Sequence, residues 1–592
     1  MKRGRSTTHL ARVAVILAVL SGVGYAQSLT VYVNDSGTGD YPTIQAAVDA
    51  VGEGGTVILE PGVYTGDGNH DIDLGGKSIT VQSIDPQDPC VVAATVIDIQ
   101  GTAADPRYGF IIESADEVQG ILDGLTITNS VTAKPGSSGV YCAQSGTVIR
   151  NCVISGMHSY ATGTGYYEMG SAIEVRSGQV HIEDCTLTRN VGSGDPDTQE
   201  WPALMSRNRY NCGGVDVRFG SAVLTRCTLS YNYAWLGGAV FNYNPDQGMV
   251  LLFNCQILHN SGYESGALYC WAGTMQLHDC LVADNVSETN GGAISNRGIV
   301  SATNCTLANN DALGFGDAVY CIEEGVTELW NCILWNTDDE IVGVDGGLTT
   351  AAYSCVKGGW TGSGNISTDP CFADASVGDY RLMLHSPCID AANNSGASQA
   401  DILGHERYDS AFVLNTGVGL LTYVDMGAYE FQAIPKVHRF WSPLLMRYFY
   451  TASESEKDFV VATYPDAWTY QGKAFYAYDG PLDAGVSPIY RFWSPVLCGH
   501  FYTISEKEKD SVIAKYPGIW EYEGVAFYAY PVGSQVDGTV PVYRFWSPVL
   551  GTHFYTANSA TKDKYIAEES DTWTYEGIAW YAWNMITWPT TF

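Results

Sequence analysis

The chain has 592 residues, 64 acidic against 30 basic, for a formal net charge of −34. An acidic excess of this size repels nucleic-acid phosphates and anionic lipid, which excludes both as partners. The length is too great for one ordinary core, so it demands several domains or an elongated solenoid.

At the N-terminus Lys2, Arg3, Arg5 and Arg12 lead into the apolar run Val13 to Leu20, then into small residues ending Gly24-Tyr25-Ala26. That run is too short to span a bilayer, and the pattern predicts a signal peptide over residues 1–26 with cleavage after Ala26. No later stretch has the length and apolarity of a membrane span. The expected location is therefore outside the cell, secreted or on its surface.

One short phrase then returns seven times: Asn151-Cys152, Asp184-Cys185, Arg226-Cys227, Asn254-Cys255, Asp279-Cys280, Asn304-Cys305 and Asn331-Cys332, each followed by a polar or apolar residue and an aliphatic one. The Cys-to-Cys steps are 33, 42, 28, 25, 25 and 27 residues. Steps near 25 residues fit one solenoid coil of three short strands, and the longer steps mark loops inserted into regular coils. A little after six of the seven phrases comes an asparagine, at Asn190, Asn232, Asn260, Asn285, Asn310 and Asn336. Stacked amides can hydrogen-bond from coil to coil and so satisfy donor and acceptor inside a tight turn. The cysteines should point inward as small hydrophobes, most of them as free thiols. Before six of these phrases stand small-residue steps such as Gly238-Ala239-Val240 and Gly292-Ala293-Ile294, which let the backbone turn tightly into a strand. Two short strand signals per period favour a β-helix over helical or leucine-rich repeats.

These residues resemble the right-handed parallel β-helix of the pectate-lyase-like superfamily over roughly residues 28–434. The opening Tyr41-Pro42-Thr43-Ile44-Gln45-Ala46-Ala47-Val48, followed by Gly55 to Tyr64, looks like that family's entrance, where a short amphipathic helix caps the first coil. Asp369-Pro370-Cys371-Phe372, Ser386-Pro387-Cys388-Ile389-Asp390 and Asp425-Met426-Gly427-Ala428-Tyr429-Glu430 resemble the closing region of bacterial exported β-helix proteins. Such a region often precedes a surface anchor or an appended module. The resemblance implies one continuous solenoid to residue 434.

From residue 435 to 592 the composition turns aromatic, and three copies of one unit align. They open Arg439-Phe440-Trp441-Ser442-Pro443, Arg491-Phe492-Trp493-Ser494-Pro495 and Arg544-Phe545-Trp546-Ser547-Pro548, and their steps of 52 and 53 residues recur at Trp468, Trp520 and Trp573. Each unit reads strand, strand, short helix, strand, so the expectation is a pseudo-threefold domain. It resembles a repeat family of uncharacterised function that is appended to exported enzymes. Trp441, Trp493 and Trp546 are candidates for stacking on sugar rings, although alternating aromatics also simply fill a small core.

Strand alternation supplies candidate site residues on the solenoid. If Ile173, Val175, Val215 and Val217 point inward, the outward column holds Glu174, Arg176, Asp216, Arg218, Phe241, Tyr243, Tyr269, Trp271, Ser295, Arg297 and Tyr320. Glu174, Asp216 and Arg218 are the candidate catalytic residues, for acid–base glycoside chemistry or β-elimination from a uronate. Arg176, Tyr243, Tyr269 and Trp271 are candidates for binding, with Trp201 on the long insertion 192–210. The bland alternative pairs Glu174 with Arg176 and Asp216 with Arg218 as ordinary exposed ion pairs. The polygalacturonase-like signature elements do not occur in order, and pectate-lyase calcium ligands cannot be carried over. No metal ligand is assigned, and since no run matches the Asp-x-Asp/Asn-x-Asp/Asn-Gly calcium loop, calcium rests on acidic composition alone. Three readings stay open at this point: an exported or surface protein that binds polysaccharide or cell-surface glycan without turnover, a polysaccharide lyase or glycosidase with a non-standard site, and a structural or adhesive stalk. The balance leans away from an enzyme, and the sequence does not fix an oligomeric state.

Overall fold

The computed structural model describes residues 29–583 except 103, 114–118, 132–136, 144–145, 159–170, 193–211, 246–247, 385, 411–412, 433–435, 479, 481–484 and 536–538. The expected signal peptide and the long insertion from residue 193 onward, with Trp201, lie outside the described residues.

From Thr30 to Val356 the chain winds in coils whose strands stack on their counterparts in the next coil, giving all-parallel sheets of 12, 10 and 11 strands and a small fourth one of four. Register is kept coil after coil: Leu229, Ile257, Val282, Leu307 and Leu334 pair in succession on one inner face. A one-residue slip would turn each such column out to solvent, so burial itself enforces the register. The inward side chains form one continuous core from Val31 to Val356. At the N-terminal end the helix Ile44–Ala50 closes the first coil, with Ile44, Ala47 and Val48 buried and the Thr43 hydroxyl accepting from the Ala46 amide as an N-cap.

The repeated phrase is a turn. Its first residue, from Asn151 through Asn331, takes the left-handed conformation, with φ between 50° and 57°. Asn and Asp tolerate that region best, which accounts for six of the seven positions, with Arg226 the exception. The chain then bends so that the following cysteine enters the core. All seven cysteines of the column are at most 1% exposed, and all sixteen in the chain are free thiols. The asparagines form the expected ladder: the Nδ2 of Asn190 donates to the Oδ1 of Asn232, and the same bond repeats through Asn260, Asn285 and Asn310 to Asn336, at 2.9–3.1 Å. Each Oδ1 also accepts the backbone N–H of the asparagine before it, and each amide donates a second time to a carbonyl. The ladder ends at a residue that the repeat does not mark. Glu340 accepts from both the backbone N–H and the Nδ2 of Asn336, each at 2.6 Å.

The coils stop earlier than residue 434. The last parallel strands are Leu348–Ala352 and Cys355–Val356. The segment that follows runs back along the outside of the turn column instead of adding coils. Arg407, its side chain 3% exposed, bridges Asp279 of the turn column to Glu430 at 2.9 and 2.8 Å. The turn residues Asn254, Asn304 and Asn331 donate to the backbone carbonyls of Asp401, Asp425 and Asn393. The Asp425-to-Glu430 phrase is thus a clamp: the Asp425 carboxylate accepts from the Asp390 and Phe431 amides, and Glu430 accepts from the Tyr408 and Asp425 amides. Burial, with Asp401 close by, pushes the Asp279 carboxyl up to about 6 against the pull of the Ser398 hydroxyl and Arg407, and burial likewise raises Asp390 to about 7.

The C-terminal module has the expected order in each unit. In the first it runs strand Lys436–Ser442, strand Arg447–Thr451, helix Glu454–Thr463 and strand Thr469–Tyr476. At the pseudo-threefold axis three buried tyrosines close a ring. The Tyr450 hydroxyl donates to the Tyr555 carbonyl, Tyr555 to Tyr502 and Tyr502 to Tyr450, at 2.7–2.8 Å, and each hydroxyl accepts a backbone N–H from the ring in return. Tyr478, Tyr530 and Trp583, one from each unit, pack against Leu384, Ile389, Val424 and Phe431 of the folded-back segment.

Candidate functional site

The outward column forms as alternation requires, on the ten-stranded sheet. Tyr141, Glu174, Asp216, Phe241, Tyr269, Ser295 and Tyr320 pair in register on successive coils. Ile173, Val175, Val215 and Val217 point into the core. The structure therefore brings the three candidate catalytic residues together.

Their surroundings differ from the expectation. Glu174 and Asp216 are 2% and 1% exposed. Their pairing with Arg176 and Arg218 is the one anticipated, but the ion pairs are buried, not exposed. Arg218 grips Asp216 with two hydrogen bonds, Nε to Oδ1 at 2.9 Å and Nη2 to Oδ2 at 2.8 Å. Arg176 donates to Glu174 at 2.6 Å and lies 3.8 Å from Asp216, while the Ser138 hydroxyl donates to the other Glu174 oxygen at 2.5 Å. Burial works against the Arg176 charge, yet the two carboxylates outweigh it and hold the guanidinium firmly protonated. Burial, with Glu174 close by, also drives the Tyr108 hydroxyl well above its ordinary range.

This arrangement suits cohesion better than proton transfer. A general acid or nucleophile must reach the substrate with a free oxygen. Here every carboxylate oxygen of Glu174 and Asp216 is held by a charge-assisted or hydroxyl hydrogen bond. Tyr269, a binding candidate, is 1% exposed and packs edge-on to Phe241, so it supports the face from beneath and cannot contact a ligand directly. Alternation tells which face a side chain takes, and it is silent about what lies over that face.

The accessible part of the column lies one strand position further on. Tyr243 and Trp271 are partly exposed, and the Arg297 guanidinium sits 4.1 Å over the Trp271 ring while pairing with Glu323 at 3.2 Å. Phe219, 57% exposed, meets Tyr243 edge-on at 5.7 Å. Trp235 and Tyr263 stack at 3.9 Å beside the same cluster. Sequence reading missed this pair, although both stand three residues after a ladder asparagine, Asn232 and Asn260, and that shared offset was the available signal. Glu264, also missed, is pushed above the usual carboxylate range by burial, which Arg297 partly offsets, and accepts from the Tyr269 hydroxyl at 3.3 Å.

In the module, Trp441, Trp493 and Trp546 are half-buried and pack on Tyr448, His500 and His553 at 4.6, 4.8 and 4.7 Å. They keep one equivalent setting in each unit. Among the described residues no group of three or more His, Cys, Asp or Glu is placed to hold a metal ion, and no helix is long and apolar enough to cross a membrane.

Residues 94–275 match the family model described as a right handed beta helix region, and residues 436–583 match a domain of unknown function (DUF5648). No curated protein matches the chain. Among solved structures, the pectate lyase Pel9A is similar at 17% identity, over 69% of this chain and 98% of that one, with a TM-score of 0.44. A pectin methylesterase from Aspergillus niger is 13% identical over 59% of this chain and 94% of its own, with a TM-score of 0.28. The A-module of the Azotobacter vinelandii mannuronan C-5 epimerase AlgE6 is 15% identical over 55% and 94%, with a TM-score of 0.25. From the family match and the stacked parallel sheets, the chain is a right-handed parallel β-helix protein that carries a C-terminal DUF5648 domain.

Proposed function

We propose that this is an exported or cell-surface protein that binds polysaccharide along the ten-stranded face of its β-helix, without turnover at Glu174 and Asp216. The observation that carries the reading is the contrast within one column. Its carboxylates are buried in saturated ion pairs, whereas Tyr243, Trp271 and Arg297 remain partly accessible beside them. Flat aromatic faces with an arginine between them suit sugar rings, which stack on apolar faces and bond through hydroxyls or carboxylates. The apolar run 13–20 behind a basic N-terminus supports export.

The test is affinity electrophoresis of the full chain against a panel of acidic and neutral plant and bacterial polysaccharides. Trp271→Ala should weaken binding by about 1–3 kcal/mol while unfolding stays cooperative. Unchanged binding in that variant would move recognition off this face. Release of reducing or unsaturated ends from any polysaccharide, abolished by Asp216→Asn, would overturn the non-enzymatic reading.

A further inference from the structure

The three junctions of the C-terminal module are built on one plan, and one of them departs from it. At the first, Arg491 reaches back to the preceding unit's helix, with its Nη1 2.9 Å from Glu456, and its Nε lies 2.9 Å from Glu523 of its own unit. At the second, Arg544 does the same with Glu508 at 3.0 Å and Glu576 at 2.9 Å. His500 and His553 approach the same own-unit glutamates at 3.4 and 3.3 Å.

The third junction, between the last unit and the first, is held by Arg439. Its guanidinium lies 5.9 Å from the Phe554 ring, matching the 5.7 Å of Arg491 from Phe449, and Tyr448 meets Phe554 at 4.8 Å as His500 meets Phe449. The arginine therefore occupies the equivalent place. Its partners are not equivalent. Thr561 stands where the other helices carry Glu456 and Glu508, and Gln471 stands where the other strands carry Glu523 and Glu576. The Arg439 Nε, the atom that binds the own-unit glutamate elsewhere, is buried without a hydrogen-bond partner. The adjoining helix Ser559–Glu568 has no acid in its first turn, whereas the other two helices carry two each. Asp563 does not compensate, because Asp458 and Asp510 occupy its position in the other helices.

Two junctions thus set two carboxylates against one arginine, and the third sets none. In a chain of net charge −34 the local sign is reversed, and the positive end of a helix adds to it. A buried guanidinium N–H without an acceptor is costly unless something supplies one. Gln471 is exposed and can swing aside, and Trp441 packs on Tyr448 at the rim. We propose that this junction binds the carboxylate of an acidic sugar: Arg439 grips the carboxylate, the Ser559–Glu568 helix N-terminus faces it, and Trp441 and Tyr448 meet the ring. The module would then hold one uronate site, not three equal ones. This deepens the reading of the protein as glycan-binding and rests on it.

The experiment is calorimetric titration of the full chain with trigalacturonate, galactotriose and triglutamate. Trigalacturonate should bind with a stoichiometry of one at this junction, at least tenfold more tightly than either of the others. Thr561→Glu, which supplies the missing carboxylate from within, should abolish that binding and raise the melting temperature. Arg439→Met should abolish it as well. Should that variant fail to fold, the Thr561→Glu result alone decides. Wild-type affinity in Thr561→Glu, equal affinity for galactotriose or triglutamate, or no binding of trigalacturonate would each overturn the proposal. Binding of neutral polysaccharide that persists in such a case would leave the broader glycan reading standing, and loss of all polysaccharide binding would sink both.

Discussion

The solenoid and the module solve the same problem in opposite ways. Each is built from a repeated unit that cannot bury its own apolar face, and each must satisfy buried polar groups at every repeat. The solenoid repeats along a line, so its hydrogen bonds form an open chain of amides from Asn190 to Asn336. The module repeats around an axis, so its bonds form a closed ring through Tyr450, Tyr502 and Tyr555. A ring has no end to satisfy. A line has two: at the start the Asn190 Oδ1 accepts the Met157 backbone N–H, and at the finish Glu340 takes both donors of Asn336.

The comparison can be broken most forcefully at the clamp. Arg407→Met leaves Asp279 and Glu430 buried without their shared cation, and should cost about 3–5 kcal/mol in chemical denaturation of the solenoid while the module's own transition barely moves. A matching loss in the module would mean that the two regions unfold as one. The next effect is one of pH. Burial raises the Glu340 carboxyl to about 7, above its ordinary 4.5, so its contribution to stability is complete below about pH 4.5 and is lost as pH rises through about 7. Asp279 and Asp390 are shifted the same way. The solenoid should therefore melt at a higher temperature at pH 5 than at pH 8, and Glu340→Gln should remove up to about 3 kcal/mol of that difference. A slope of opposite sign in the wild type would contradict the assignment.

Within the ladder, Asn285→Leu strips an acceptor from Asn260 and a donor from the Ile257 carbonyl, and should cost about 2–3 kcal/mol. Tyr502→Phe removes one donor and one acceptor from the ring and should cost about 1–2 kcal/mol, read from the melting of the module. If the ring variant proves more damaging than the ladder variant, closure matters more to the module than stacking does to the coils.

What could be read from the sequence follows the same division. The Cys and Asn columns were legible because every coil must solve the same turn with the same chemistry, and the three module units were legible for that reason too. The folded-back segment was not, because Arg407 lies 128 residues from Asp279 and belongs to no repeat. The repeat marks Asp279 as a turn residue and carries no mark of its partner. The outward position of Glu174 and Asp216 was legible from alternation, but their burial was not. The odd junction at Arg439 was visible in the alignment of Gln471 with Glu523 and Glu576, yet only the contacts of Arg491 and Arg544 give that difference a meaning.

The amide ladder also has a direction. Every asparagine hands one Nδ2 proton to the amide oxygen of the next coil and the other back to a backbone carbonyl of the coil before, so the amide-to-amide chain runs one way only, like a sentence. An ionised carboxylate, the form Glu340 takes as pH rises through about 7, accepts and has nothing to pass on. Glu340 is therefore a full stop: it fixes how many rungs this ladder has, and a chain that carried asparagine there would present an unspent donor and invite a further coil, or a neighbouring molecule, to continue it.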